Sequence, residues 1–436
     1  MLDVYVDARL VGTLAEEAGR YEFTYLPDVP VDALVSLLMP VRAASYSFPR
    51  LHPFFQMNLP EGYKKDVIRH KLGPHADVSD FGLLALTGAN TIGRVRVILH
   101  GERLESAQRH ADMATLLAST DSRERLLRML EEGVTEGVSG VMPKALTRNS
   151  HKATVWTDEF ILKTGFEDLP WLALNEYLCL EVARHSGLEV PQARISDDGQ
   201  VLAVRRFDRG EAGQMLAVED FCALEGLDPV SKYKGSLERV AKLAGTYIPR
   251  ALFKENARRL FTLLLVNYVV HNADAHLKNF ALVYTDMDNV RLAPVYDVLT
   301  PPVYPSFADA APALDLQGRR VWASGKLLAT YGGARLGLSK ADTNECLAQV
   351  VHAVHTVTPL VAEYAQRHQD FREHAKRLLD IWAIGLEHIK PDAKPGKSVP
   401  APLREQMGLS DPDDVQRTKQ TNPYSNPDGP FGFRSR

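Results

Sequence analysis

Cysteine is scarce in this chain: three residues, Cys179, Cys222 and Cys346, odd in number and far apart. None sits in a C-x-x-C or Cys/His spacing, which excludes a disulfide framework and a zinc site and leaves buried free thiols in a reducing cytosol. Positive charge is not in excess either. Lys and Arg total 51 against 55 Asp and Glu, a net charge of −4. Proteins that grip nucleic acid unaided carry a basic excess or a basic stripe, so DNA is expected to be met only indirectly, through a partner. No apolar run reaches the roughly 18–20 residues of a membrane span. The opening "MLDVYVDARLVG" alternates like a strand and lacks the basic–apolar pattern of a leader. The expectation is a soluble cytoplasmic protein without membrane contact.

What is present is ordinary globular composition, 45% hydrophobic and 24% charged over 436 residues, enough for two or three cores. Residues 1–105 read as a small mixed α/β subdomain. "DVYVDARLVGTL" and "YEFTYL" alternate as strands, "FFQMNLPEGYKKDVIRHKLG" switches to helical spacing with Leu59, Val67 and Leu72 on its apolar side, and "GRVRVILH" returns to a strand. Residues 106–230 form a second unit. It begins with one helix, "MATLLASTDSRERLLRMLEEG", expected to end at Gly133. The hairpin "KATVWTDEFILKTG" follows, turning at Thr157-Asp158, then an amphipathic helix stopped by Gly187, then a hairpin turned at Asp197-Asp198-Gly199. Residues 231–390 are mainly helical. Residues 391–436, rich in Pro, Asn, Ser and charge, read as a mostly disordered tail.

Directly behind the apolar run "RRLFTLLLVNYVV" stands "HNADAHLKNF", with an Asp, two His, a Lys and two Asn within ten residues. Phosphoryl transfer needs positioning and charge neutralisation more than covalent help. One carboxylate must accept a hydrogen bond from the attacking hydroxyl, and an amide oxygen with a second carboxylate must hold magnesium against a triphosphate. Asp274 and Asn279 have the D-x4-N spacing for the first two groups. Asp297 follows in "APVYDVLT" after a strand–turn–strand pattern that would return it beside Asn279. Two upstream features suit the same chemistry. Lys163 in "FILKTG" stands where a strand lysine would reach nucleotide phosphates. "GVSGVMPKAL" brings Gly137, Gly140 and Lys144, although it is neither a Walker A loop nor a G-x-G-x-x-G.

Together these stretches resemble HipA-type serine/threonine kinases, the toxins of bacterial type II toxin–antitoxin systems. The resemblance is carried by "SGVMPKAL", "FILKTG", "NEYLCLEVARHSGLEVP", "LAVRRFDR", "EDFCALEGLDPVSKY", "NADAHLKNFAL" and "LAPVYDVLT", in order, and by "FFQMNLPEG" and "FGLLALTGANTIGRVRV" near the N-terminus. It implies an α+β, bilobal protein-kinase-like fold with a mainly helical C-terminal lobe, ATP and Mg2+ as cofactors, a protein substrate and a helix-turn-helix, HipB-like antitoxin as partner. Residue by residue, Asp274 matches the catalytic base, with His276 and Lys278 as active-site loop positions. Asn279 and Asp297 match the magnesium ligands. Gly140, Val141, Met142, Pro143, Lys144, Lys163, Arg205 and Phe207 match nucleotide-binding positions, the last two in a hinge segment, Ala203 to Phe207, that meets adenine through its backbone.

Two departures stand out. Arg205 occupies a position where the family often has Glu, and Gly137 replaces a regulatory serine, which makes Ser139 the candidate phosphosite. A phosphate there would compete with nucleotide phosphates for the same amides and lysine. Glu176 either pairs with Lys163 or is a first-turn acid favoured by the helix dipole. Two other functions compete with a protein kinase: a small-molecule kinase, and a non-catalytic co-repressor that docks on a DNA-binding antitoxin.

Overall fold

The computed structural model describes residues 1–72, 77–104, 113–135, 152–157, 159–210 and 214–390. The alternating N-terminal segments form strands β1 (Leu2–Val6), β2 (Arg9–Glu17), β3 (Arg20–Tyr25), β4 (Tyr46–Phe48) and β5 (Val95–Leu99). They pair antiparallel in the order β4-β3-β2-β1-β5. The inner strand β1 turns Leu2, Val4 and Val6 into a core with Leu14, Phe23 and Phe55. Helices α1 (Pro53–Gln56), α2 (Gly62–Leu72) and α3 (Asp80–Thr87) accompany this sheet. The helical spacing expected across "FFQMNLPEGYKKDVIRHKLG" is therefore broken in two. Pro60, which has no N–H to donate, lies in the gap between α1 and α2. The short segment Met57 to Glu61 that results lines a cleft together with Lys152, Lys163 and Asn279.

The next helix also differs from expectation. Instead of one helix ending at Gly133 there are two, α4 (Met113–Leu117) and α5 (Ser122–Thr135). The Ser122 N–H and hydroxyl donate to Asp198 at 3.0 and 2.7 Å, so a carboxylate from a distant turn satisfies the start of α5. A hairpin of β6 (Lys152–Trp156) and β7 (Phe160–Gly165) comes next, then α6 (Leu172–His185) and a second hairpin, β8 (Ala193–Ile195) with β9 (Leu202–Arg205). The four strands make an antiparallel sheet in the order β6-β7-β9-β8. Asp158, expected in the first of these turns, lies outside the described residues.

A third, three-stranded sheet joins β10 (Ala217–Asp220) to β11 (Ala281–Tyr284) and β12 (Arg291–Leu292). The remaining elements are α7 (Phe221–Leu224), α8 (Leu237–Tyr247), α9 (Arg250–Val269), α10 (Gly325–Leu336), α11 (Lys340–Arg367) and α12 (Arg372–Ile389). The apolar run that precedes the polar loop is the second half of α9, buried continuously from Leu260 to Val269. A helix apolar on every side must be enclosed, and α11 and α12 pack against it. Gly385 of α12 lets that packing close: a Cβ there would lie 2.0 Å from the Val269 carbonyl oxygen. All three cysteines are buried and unpaired. The tail, 391–436, lies outside the described residues.

The N-terminal module is fastened to the rest by buried polar groups. Arg94 donates to the carbonyls of Asp32, Leu34 and Thr285 at 2.8, 3.2 and 2.8 Å. Arg206 and Asp208, both fully buried, form an ion pair of 2.6 Å. Arg206 also donates to the Thr91 carbonyl at 2.6 Å, while Asp208 accepts the Gly93 N–H at 2.8 Å. Buried charges persist only when paired and hydrogen-bonded in this way.

Candidate active site

The loop after α9 is built to be rigid. His271 takes a left-handed turn (φ 50°) and its ring stacks on Trp322 at 4.4 Å. Asn272 then acts as a staple. Its amide nitrogen donates to Asn267 at 2.9 Å and to the Asp297 carbonyl at 3.3 Å, while its oxygen accepts the Asp274 N–H at 3.2 Å. One tight helical turn over Leu277–Asn279 leads into β11. The β11–β12 hairpin then returns the chain, and Asn279 donates to the Asp297 carbonyl at 3.2 Å. Asp297 is itself left-handed, with φ 59°. Such a conformation in a non-glycine residue costs of order 1 kcal/mol or more and is held by its surroundings.

Those surroundings are charged. Lys163, in β7, donates to Glu176 of α6 at 2.6 Å and to Asp297 at 2.5 Å. Glu176 is buried and lies beyond the first turn of α6, so the pair with Lys163 is the arrangement the fold adopts. A second lysine, Lys152 of β6, stands 3.7 Å from the other oxygen of Asp297. Burial pushes the Asp297 carboxyl up, but Lys152 and Lys163 outweigh it and hold the group well below the usual carboxylate range. Burial wins at Glu176, which is raised despite Lys163. Burial would lower Lys163, yet Asp297 and Glu176 raise it, so the ammonium is retained.

Asp274 is one third exposed and accepts the Tyr233 hydroxyl at 2.7 Å. The His276 ring lies 4.0 Å from Asp274 and edge-on to Tyr233. Burial lowers His276 to about 4 against the pull of Asp274, so the imidazole is neutral at neutral pH. Lys278 bonds instead to Glu61 of the N-terminal module, which Lys232 also approaches at 3.7 Å. The Lys278 carbonyl accepts the Tyr296 hydroxyl at 2.7 Å.

Beside these groups lies a cleft of about 420 Å³, with Lys152, Lys163, His276, Lys278, Asn279 and Asp297 on its walls. Arg205 and Phe207 line it too, Phe207 stacking on Tyr296 at 5.6 Å. The N–H groups of Arg205 and Arg206 donate to the Gln192 and Glu159 carbonyls at 2.8 and 2.7 Å, so these two hinge amides are engaged within the protein. Gly137, Ser139, Gly140, Val141, Met142, Pro143 and Lys144 lie outside the described residues.

The donor set suits magnesium. Asn279 Oδ1 is buried and has no hydrogen-bond partner, and the Asp297 carboxylate belongs to the residue its amide nitrogen holds. Among the described residues no group of three or more His, Cys, Asp or Glu forms a metal cage. Magnesium does not require one, since it is commonly held by one or two protein oxygens together with phosphates and water.

Sequence reasoning did not find Lys152, Asn272, Tyr233, Glu61 or the Arg206–Asp208 pair. All but Lys152 lie within the stretches that carry the family resemblance, yet nothing in their spacing tells what they touch. Asn272 acts partly at short range, on Asn267 and Asp274, whereas Lys152, Tyr233 and Glu61 act across contacts of long sequence separation.

The lobes on either side of the cleft, one carrying the β6–β9 sheet and the other built on α9, make a bilobal protein-kinase-like fold. Residues 137–358 match the family model described as the HipA-like C-terminal domain, and residues 2–98 match that of the HipA N-terminal domain. The chain belongs to the HipA family. "Putative kinase Y4mE" of Sinorhizobium fredii is 27% identical over 352 residues, 74% of this chain and 81% of that protein. "Putative kinase Y4dM" of the same organism is 28% identical over 281 residues, 59% of this chain and 64% of that protein. Among solved structures, a chain of the Shewanella oneidensis MR-1 complex of the toxin–antitoxin system HipA, HipB and its operator DNA superposes with a TM-score of 0.67. It covers 89% of this chain and 98% of that one at 19% identity, a likeness of fold. Among the described residues no helix is long and apolar enough to cross a membrane.

Proposed function

We propose that the protein is an ATP- and Mg2+-dependent serine/threonine protein kinase that acts as a type II toxin. Its substrate is a cytoplasmic protein of translation, such as an aminoacyl-tRNA synthetase, together with itself. A HipB-like helix-turn-helix antitoxin neutralises it, and DNA is met only through that antitoxin, in keeping with the net charge of −4. The observation that carries the reading is a cleft lined by Lys163, Asn279 and Asp297, with Glu176 bonded to Lys163 and Asp274 4.0 Å from the cleft-lining His276. Membership of the HipA family and the names of the rhizobial relatives support it.

In this mechanism Asp274 accepts the proton of the acceptor hydroxyl, and the hydrogen bond from Tyr233 fixes its orientation. Asn279 Oδ1 and the Asp297 carboxylate would hold Mg2+, which when bound neutralises phosphoryl oxygens. Lys163, kept in place by Glu176, binds the nucleotide phosphates. Phe207, stacked on Tyr296, offers an aromatic wall to the base. Neutral His276 can donate a hydrogen bond without adding charge beside Asp274.

The test is incorporation of label from γ-labelled ATP with magnesium, alone and with cell lysate, for the wild type, Asp274→Ala and Ser139→Ala. Label that disappears in Asp274→Ala, with loss of at least about 100-fold in rate, supports the reading. Loss of self-labelling alone in Ser139→Ala assigns the regulatory serine. Nucleotide binding without transfer by any form would favour a co-repressor, and transfer only to small acceptors a small-molecule kinase.

A further inference from the structure

The kinase reading sets Lys163, beside bound magnesium, against the nucleotide phosphates, but that ammonium is already bonded to two carboxylates, at 2.6 and 2.5 Å. A triphosphate brings several negative charges, and one lysine committed in this way is little to set against them.

The β6–β7 register supplies another. Lys152 pairs with Gly165 and Thr154 with Lys163, so Lys152 and Lys163 are diagonal neighbours on one face of the sheet. Each addresses its own oxygen of Asp297, Lys163 on Oδ1 at 2.5 Å and Lys152 on Oδ2 at 3.7 Å. The two are not equivalent. The Lys163 side chain is 14% exposed and that of Lys152 42%, so Lys152 occupies the open side of the cleft. Two lysines against Glu176 and Asp297 leave this group of four neutral. Without Lys152 it would carry a net negative charge facing the triphosphate.

We propose that Lys152 is a second phosphate-binding lysine, which contacts the terminal phosphates of the bound nucleoside triphosphate. The inference rests on the kinase reading above. When the Asp297 carboxylate turns to magnesium, it can no longer serve both ammonium groups in full. Lys163 stays anchored by Glu176 at 2.6 Å. Lys152, the more distant and more exposed of the two, is the one placed to move onto the terminal phosphates while remaining on the same sheet face. A flexible four-carbon stem with a compact charge suits such an exchange of partners.

The experiment measures the affinity of ATP, ADP and AMP in the presence of magnesium, by calorimetry, for wild type, Lys152→Met, Lys152→Arg and Lys163→Met. Methionine preserves the unbranched stem and removes the charge, and AMP binding in each variant reports whether the cleft is intact. Lys152→Met should weaken ATP about tenfold or more and leave AMP within about twofold, with Lys152→Arg recovering most of the loss. Equal weakening of ATP and AMP would overturn the proposal and reduce Lys152 to a support for the Asp297 turn. So would unchanged ATP affinity in Lys152→Met while Lys163→Met loses it. Wild type that does not prefer ATP to AMP would overturn the kinase reading itself, and the role of Lys152 with it.

Discussion

Glu219 allows a test of how the N-terminal module is joined to the catalytic region. This side chain is wholly buried in β10. It accepts the Ser36 hydroxyl and the Leu37 N–H at 2.7 Å each, and the Tyr284 hydroxyl at 2.5 Å, so it ties the 36–37 segment to β11. Burial raises its carboxyl from 4.5 to about 7, against those three donors. Because the folded state holds this proton more tightly than the unfolded chain, the associated stability is complete below pH 4.5 and is lost as pH rises through about 7. Integrated over that window, the loss is about 3 kcal/mol. Glu219→Gln keeps an acceptor oxygen and cannot ionise. Urea unfolding at pH 4 should show the variant and wild type alike, whereas at pH 8 the variant should be the more stable by up to about 3 kcal/mol. Parallel stability curves at every pH would refute the reasoning. They would mean that three donors suffice to keep the carboxylate ionised in the core.

Other expectations follow from the same contacts. Asp208→Ala strands the buried guanidinium of Arg206 and should cost about 3–5 kcal/mol in chemical unfolding, whereas an exposed pair such as Arg367–Glu363 should cost less than about 1 kcal/mol. His276, lowered to about 4 by burial, should remain neutral down to that pH. Its ring protons followed by NMR should titrate near 4, and a midpoint above 6 would show that the loop is more open than described.

The proposed role of the polar loop rests on features written at short range. A D-x4-N spacing, an apolar run ahead of it and a strand–turn–strand behind are local patterns, and local patterns survive without coordinates. The same holds for the hairpins that carry Lys163 and Arg205. The helix boundaries were read less well. The break at Pro60 has a local cause in the proline itself, whereas the start of α5 at Ser122 depends on what meets the chain there, Asp198 from another hairpin.

Only the tertiary structure decided which groups share the cleft. Lys152 lies in no family motif, and Glu61 and Tyr233 lie in two whose spacing does not say what they meet. They are drawn in by strand register, by the break between α1 and α2 and by the loop before α8. The choice for Glu176 between a dipole-facing acid and a partner of Lys163 was likewise settled by burial, because a carboxylate removed from water must find a cation. By itself the sequence determined the order of elements and the residue pattern of the Asp274 loop on which the proposed chemistry rests, both set by neighbours a few residues apart. The charge balance around Asp297 arises where chain segments over a hundred residues apart come within 4 Å, and only the closed fold brings them there.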